Sequence, residues 1–207
     1  MSGAQGDHGA DAARGSGNVE DAGATGIRPD SALGHEGELE MRRRFPGRFV
    51  WDAAGLNQMM RPVISPSLAR FLEAQPFFFI ATASAGGHCD ASFRGREQDA
   101  SGNPRPALRV LDEKHLIFPD FSGNGLYNSL GNILTNPHIG MLFVDFTHRR
   151  RARVNGLAEV IPADAEVRAI WPLAQAAVRV TVEQAYGNCP ARVPRLQMVP
   201  DSDAGWD

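Results

Sequence analysis

The fold is decided between Phe77 and Glu159, a stretch that opens with FFFIATASAGGHCDASF (residues 77–93). Its first seven residues are aromatic, β-branched or small, which favours a buried strand. Gly86-Gly87 has the turn chemistry of a hairpin, and Cys89 to Phe93 then predicts the returning strand. The stretch therefore begins as an antiparallel β-hairpin.

The rest of the chain adds more strands than helices. Further strands are predicted at 107–111, 115–119, 139–146, 153–161 and 178–182. Helices are predicted at 66–74, from Gly123-Asn124 to Asn136-Pro137, and at 163–170. Mostly antiparallel strands with few helices indicate a mainly β (α+β) barrel rather than a doubly wound sheet.

Composition predicts one domain with two tails. Residues 1–40 are rich in Gly, Ala and Asp and contain no Phe, Tyr or Trp, so we expect a disordered tail there. The ordered domain is expected over 41–200, and 201–207 is read as a C-terminal tail. With 207 residues, the chain has room for a sizeable core.

Charge and hydropathy exclude several classes of protein. The net charge of −3 provides no overall field to attract nucleic acid or an anionic membrane. No apolar run approaches the roughly 18 residues of a membrane helix, and no secretory signal pattern is seen. We therefore expect a cytoplasmic protein with no nucleic-acid or membrane partner.

Arg109 and the loop Ser122–Gly125 form the first candidate binding site. Backbone N–H groups at a helix start and a strand arginine both suit a phosphate. Ser92 and Arg94 are a second candidate pair, and Ser129 with Asn132 on the polar helix face are a third. For each of these, an ordinary solvated surface remains open as an alternative.

Other patterns carry weaker signals. Gly123-x-Gly125 lacks the third glycine of a dinucleotide fingerprint. The six histidines and two cysteines show no metal-ligand spacing, so no metal site is expected. The basic tip His148 to Arg151 is interpreted as a solvated turn, with RNA or lipid contact as the alternative.

Several segments between residues 75 and 200 resemble the pyridoxamine 5′-phosphate oxidase-related, FMN-binding split-barrel family. The order and spacing of these segments carry the resemblance, rather than any one of them. They are FIATA (79–83), CDASFRG (89–95), RVLD (109–112), FPDFSGN (118–124), SLGNILTNP (129–137), GMLFVDF (140–146), RVNG (153–156) and VTVEQAYGNCP (180–190).

The resemblance implies a six-stranded antiparallel split β-barrel that forms a homodimer, with FMN bound across the dimer interface. Arg109 matches the arginine that pairs with the FMN phosphate, and Val110 and Leu111 would pass beside the isoalloxazine ring. The remaining cofactor-binding candidates line the ribityl chain and phosphate or lie on the helix: Ser92, Arg94, Pro119, Asp120, Gly123, Asn124, Ser129 and Asn132.

The resemblance also implies an FMN-dependent oxidoreductase that acts on a small-molecule electron donor and acceptor of unknown identity. No catalytic residue is assigned, because the flavin itself carries the redox chemistry. A non-catalytic flavin-binding or storage protein, and a deazaflavin- or haem-binding split barrel, are the alternatives. Loop 96–106 is longer than usual, and the C-terminal substrate motif of true pyridoxamine phosphate oxidases is not recognisable.

Overall fold

The computed structural model describes residues 33–197. Its helices are α1 (Glu36–Arg44), α2 (Ala53–Met59), α3 (Pro66–Glu73), α4 (Asn128–Thr135) and α5 (Ala165–Ile170). Its strands are β1 (Phe77–Ala83), β2 (Cys89–Gly95), β3 (Arg109–Val110), β4 (His115–Phe121), β5 (His138–Asp145), β6 (Arg150–Pro162) and β7 (Ala174–Asn188).

A helix lies across the boundary at residue 40 that the sequence predicts between the tail and the domain. Helix α1 begins at Glu36, within the segment 1–40 that we read as a tail. Helix α1 buries none of its residues, so the sequence has no apolar face there that would have predicted the helix. A His35 cap and an ion pair between Arg44 and Glu40 at 2.6 Å hold it instead. Residues 1–32 and the predicted tail 201–207 lie outside the described residues.

All strands form one antiparallel sheet, in the order β2-β1-β5-β6-β7-β4-β3. The mainly β architecture is therefore confirmed, with seven strands where six were expected. Strand β1 matches its predicted bounds, whereas β7 runs for 15 residues instead of the predicted five. Strand β3 keeps only two of the five residues predicted for it and lies at the sheet edge.

The main core fills the inner face of the sheet. Phe78 stacks on Phe143 at 5.2 Å between ring centroids and meets Phe118 edge-on at 5.3 Å. All three rings are fully buried, so this cluster anchors β1, β4 and β5 to one another. A second cluster lies around Trp171, whose indole N–H donates to the Pro106 carbonyl at 2.7 Å.

Helix α4 begins later than the sequence predicts. The prediction placed its start at Gly123-Asn124, but the first helical residue is Asn128. The Asn124 side chain accepts a hydrogen bond from the Leu126 N–H, and Gly125 has φ +75°, so this segment forms a turn rather than a helix. Residues 122–127 are therefore a loop that precedes α4, and no helix N-terminus lies at Gly123.

No helix within residues 33–197 combines the length and apolar character that a membrane crossing requires.

Candidate functional site

Six of the eleven predicted site residues lie around one cavity of about 230 Å³, here called the loop cavity. It is bounded by β2, by the end of β4, by the loop 122–127 and by the start of α4. The six are Ser92, Arg94, Asp120, Gly123, Asn124 and Ser129. Asp90 and Gln175 also line the cavity. Sequence reasoning missed these last two, since each acts only through partners distant in the chain.

A buried ion pair forms one wall of the loop cavity. Arg94 Nη1 lies 2.7 Å from Asp120 Oδ1, and the two side chains are 18% and 6% exposed. The other Asp120 oxygen accepts a hydrogen bond from Gln175 at 2.8 Å. Arg94 Nε donates to Ser92 Oγ at 3.2 Å, so the side chain is held at two nitrogens. Nη2 is the guanidinium nitrogen left for a ligand.

The opposite wall joins α4 to β2 through hydroxyl groups. Ser129 Oγ donates to Asp90 Oδ2 at 2.6 Å and lies 3.1 Å from Ser92 Oγ. Asp90 and Ser92 are two residues apart on β2, so their side chains share one face. The cavity thus combines two carboxylates and two serine hydroxyls with a single guanidinium.

The floor of the loop cavity leaves room for a ligand. A Cβ added at Gly123 would meet no atom within 4 Å, so this glycine faces open space rather than packed protein. The surrounding loop, residues 122–127, is exposed. Carboxylates and hydroxyls bind polyols well, whereas a phosphate here would have only Arg94 Nη2 and the loop amides. The residues therefore fit the ribityl chain of FMN better than its phosphate.

Arg109, Val110 and Leu111 lie away from the loop cavity. Arg109 is about half exposed, and its nearest carboxylate is Glu73, at 3.8 Å. It is paired with Ile117 across β3 and β4, so its side chain lies on the face opposite that of Asp120. Leu111 follows the strand and is exposed. Within one chain, Arg109 and Arg94 do not converge on a single phosphate.

Pro119 and Asn132 also lie outside the lining of the loop cavity. Pro119 is buried within β4. Asn132 donates to Thr82 Oγ1 at 3.1 Å, which fastens α4 to β1. The side-chain amide of Asn132 is therefore used by the fold.

Four phenylalanines form an aromatic patch on the outer face of β1, β2 and the end of β5. Phe77 lies 5.2 Å from Phe93 in a stacked arrangement and 6.5 Å from Phe146. Phe79 meets the Phe93 ring edge-on at 5.9 Å, and the Phe93 side chain is 60% exposed. A contiguous, partly exposed aromatic surface of this kind is typical of an interaction site.

A second, larger cavity of about 900 Å³ was not predicted. Its lining includes five arginines, which we call the arginine groove: Arg61, Arg149, Arg150, Arg151 and Arg195. The run at 149–151 was visible in the sequence, but it was interpreted as a solvated turn. Arg150 and Arg151 in fact begin β6, and all three residues lie along the groove.

Asp145 closes the turn beside the arginine groove. Burial raises the pKa of its carboxyl, but hydrogen bonds from the His148 backbone N–H at 2.9 Å and from the His148 ring at 2.8 Å outweigh that effect. The pKa of Asp145 therefore lies below its usual value. Among residues 33–197, no group of three or more His, Cys, Asp or Glu side chains is placed to hold a metal ion.

The solved structures with similar folds are shorter than this chain, since each match covers most of the solved structure but only about 60% of this chain. HupZ from Group A Streptococcus is 21% identical over 60% of this chain and 93% of its own, with a TM-score of 0.45. A pyridoxamine 5′-phosphate oxidase candidate from Lactobacillus delbrueckii is 18% identical over 62% and 98%, with a TM-score of 0.47. HutZ, a haem storage protein from Vibrio cholerae, is 12% identical over 58% and 89%, with a TM-score of 0.38.

The family is established by sequence rather than by these structural similarities. No curated protein matches the chain. The family model for pyridoxamine 5′-phosphate oxidase, however, matches residues 64–199, which is well over half of the chain and includes every strand of the sheet. The chain therefore belongs to the pyridoxamine 5′-phosphate oxidase family.

Proposed function

We propose that this protein binds FMN as a homodimer and acts as an oxidoreductase on a small molecule. The observation that carries the proposal is the loop cavity, where six of the residues expected to bind FMN converge in a member of this family. Flavin binding is common in the family, and the acceptor-rich walls suit the hydroxyl groups of a ribityl chain.

The size of the loop cavity supports a shared site. At about 230 Å³ it is smaller than the roughly 300 Å³ at which ligand sites usually begin. It accommodates part of the cofactor, so the isoalloxazine ring must lie outside it. A second protomer would cover that ring.

Two surface features support a dimer. The aromatic patch offers apolar area that a second copy would bury. Strand β3 is an open sheet edge, and it carries Arg109 on the face away from the loop cavity. We propose that Arg109 contacts the phosphate of a flavin whose ribityl chain lies in the other protomer's loop cavity.

Bound FMN supplies the redox chemistry, and the chain's own residues bind and orient it. Ser92, Ser129 and the two carboxylates would hold the hydroxyl groups, while Arg94 Nη2 and the loop amides would provide donors. A storage protein would use the same residues. The two functions differ in whether an external donor can reduce the bound flavin.

The test is titration of flavin-free protein with FMN, followed by the quenching of flavin fluorescence. Riboflavin, which lacks the phosphate, is the matched ligand. We expect saturation at one FMN per protomer, with riboflavin bound at least tenfold more weakly because it makes no charge-assisted phosphate contact. Equal binding of the two would remove the phosphate assignment, and no binding of FMN would refute the proposal.

Redox function is tested on the same complex. NADH and NADPH are offered anaerobically as donors, and bleaching of the visible flavin band is recorded. Bleaching that reverses on admission of oxygen supports an oxidoreductase. Bound flavin that neither donor reduces, but that dithionite does, would favour storage.

A further inference from the structure

The arginine groove holds more positive charge than its own walls compensate. Its five arginines come from three parts of the chain: the segment before α3, the turn and first residues of β6, and the residues after β7. No Asp or Glu lines the groove. Among residues 33–197, no carboxylate oxygen lies within 4.0 Å of any of the five guanidinium groups. Like charges held together repel one another, so the groove suits an acidic occupant.

Two of these arginines have partners that position them without neutralising them. Arg149 Nε donates to the Val193 carbonyl at 2.9 Å, and the Arg150 guanidinium lies over the Phe71 ring at 4.8 Å from its centroid. Neither a carbonyl nor an aromatic ring carries a full negative charge. Both guanidinium groups can therefore still pair with carboxylates.

Two polar atoms at the groove are buried without a hydrogen-bond partner: Arg151 Nε and Asn188 Oδ1. Their residues pair with each other across β6 and β7. Buried donors and acceptors are nearly always satisfied in folded proteins, so the two atoms require partners of opposite kinds. Arg151 Nε needs an acceptor and Asn188 Oδ1 needs a donor. A polypeptide segment with acidic side chains offers both, because its carboxylates accept and its backbone N–H groups donate.

The other walls of the groove are suited to apolar side chains. Met59, Val63, Leu68, Phe71 and Tyr186 supply apolar and aromatic surface beside the arginines. An occupant that carries both carboxylates and an aromatic side chain would match both kinds of wall. The composition of the groove thus favours an acidic peptide segment with at least one large apolar residue.

The chain itself passes the rim of the arginine groove near its C-terminal end. Arg195 lines the groove. The Leu196 N–H donates to the Phe146 carbonyl at 3.4 Å, and the Thr147 hydroxyl donates to the Leu196 carbonyl at 3.5 Å. Thr147 directly precedes His148, which also lines the groove. These contacts hold Leu196 beside the rim.

The sequence that follows has the composition that the groove favours. Residues 198–207, here called the acidic segment, contain Asp201, Asp203, Asp207 and Trp206 and no Lys or Arg. Asp201 lies five residues beyond Leu196, a length that spans at most about 17 Å when extended. That is enough to enter a cavity of about 900 Å³. Residues 1–32 are also acidic, but they join the described structure before α1, none of whose residues lines the groove.

We propose that the arginine groove is the docking site of the chain's own acidic segment. The carboxylates of Asp201 and Asp203 pair with the groove arginines, and Trp206 packs on the apolar wall. The docked segment compensates the charge of the groove and closes it to solvent. The loop cavity and the arginine groove share no lining residue, so the proposal does not rest on flavin binding.

Disulfide crosslinking tests the docking directly, because a free cysteine, Cys189, lines the groove. Ser202→Cys places a thiol between the two acidic residues, and Cys89→Ser removes the other native thiol. The 207-residue protein, supplied with FMN, is oxidised with copper phenanthroline, and its disulfides are mapped by mass spectrometry. We expect an intrachain disulfide between Cys189 and the introduced thiol.

Two comparisons separate docking from simple tethering. Asp201→Asn with Asp203→Asn leaves the length of the segment unchanged, and we expect crosslinking to slow by about tenfold because two ion pairs are lost. Raising KCl should slow it as well, since salt screens these pairs. Ser16→Cys, in place of Ser202→Cys, offers a thiol from residues 1–32 and should crosslink at least tenfold more slowly.

Arginine variants test the groove side of the contact. Arg195→Gln should slow crosslinking by about threefold or more, because it removes one groove charge outside the sheet. Arg168→Gln is the matched control. It removes the same charge from α5, where the side chain donates to the Ala163 carbonyl at 2.8 Å, and its rate should stay within twofold of the parent rate.

Rapid intrachain crosslinking that depends on Asp201, Asp203 and Arg195 supports the inference. An equal rate in the asparagine variant would show that the segment is merely tethered nearby, which overturns it. An interchain disulfide, faster crosslinking from Ser16→Cys, or no disulfide at all would each overturn it too. FMN content is measured in every sample, so failure of flavin binding is scored separately from failure of docking.

Discussion

The Arg94–Asp120 ion pair is the contact at the loop cavity whose loss should be easiest to measure. In Arg94→Met, the apolar part of the side chain is kept and the charge is removed. Asp120, which is 6% exposed, is then left as a buried carboxylate without its cation. Breaking a buried pair in this way costs about 3–5 kcal/mol.

Two features of the site place the expected loss at the lower end of that range. Gln175 still donates to Asp120 Oδ2, and Arg94 is itself 18% exposed. We therefore expect the free energy of unfolding to fall by about 3 kcal/mol. With a urea dependence of about 2 kcal/mol/M, the midpoint should move by roughly 1.5 M.

Urea unfolding of the flavin-free protein, followed by tryptophan fluorescence, measures this loss. Arg94→Met/Asp120→Leu is the control, because it removes both charges together. We expect the double variant to recover most of the lost stability, since no buried charge remains unpaired. A loss below about 1 kcal/mol in the single variant would show that the pair behaves as a surface ion pair and would refute the reasoning.

Three further changes test other parts of the structure. Arg109→Ala should weaken FMN binding by about tenfold or more by removing a charge-assisted contact of roughly 1.5–3 kcal/mol; unchanged affinity in a folded variant would contradict the assignment. Gly131→Ala should raise the free energy of unfolding by about 0.5–1 kcal/mol, because the glycine lies within α4 and an added Cβ meets no atom within 4 Å; a loss of stability in urea would show a hidden contact. Asp145 has a lowered pKa, so its carboxylate stabilises the fold above the unfolded pKa of about 3.9, and this stabilisation is lost as the pH falls through the folded pKa. Asp145→Asn should therefore flatten the dependence of the free energy of unfolding on pH below about pH 4, and an unchanged dependence would contradict this.

The parts of the fold that the sequence predicted best have dense local signals. Phe77–Ala83 was correct at both ends, because an aromatic run is followed closely by a Gly-Gly turn. Ser65 with Pro66 marked the start of α3, where the Ser65 hydroxyl accepts from the Leu68 N–H at 3.2 Å.

The parts that the sequence did not predict depend on non-local or side-chain geometry. The start of α4 was misplaced because the Asn124 side chain holds a turn that resembles a helix opening in sequence. Only Arg109 and Val110 of the five residues predicted for β3 pair with β4, and the Leu111 N–H donates to the His115 carbonyl at 2.8 Å in the turn that follows.

The same distinction applies to the sites. The family resemblance indicated six residues that the topology brings together at the loop cavity, and their binding of FMN stays a prediction. The arginine groove was not predicted, since Arg61, Arg151 and Arg195 are far apart in the chain and only the folded sheet places them around one cavity.

Identification of the chromophore in the purified protein tests the central claim most directly. The visible spectrum is recorded, the chromophore is released by heat, and it is identified and counted against protomers. We predict a yellow protein that yields FMN at one per protomer and elutes as a dimer. A colourless protein that takes up no added FMN, or one with a Soret band and released haem, would contradict the account.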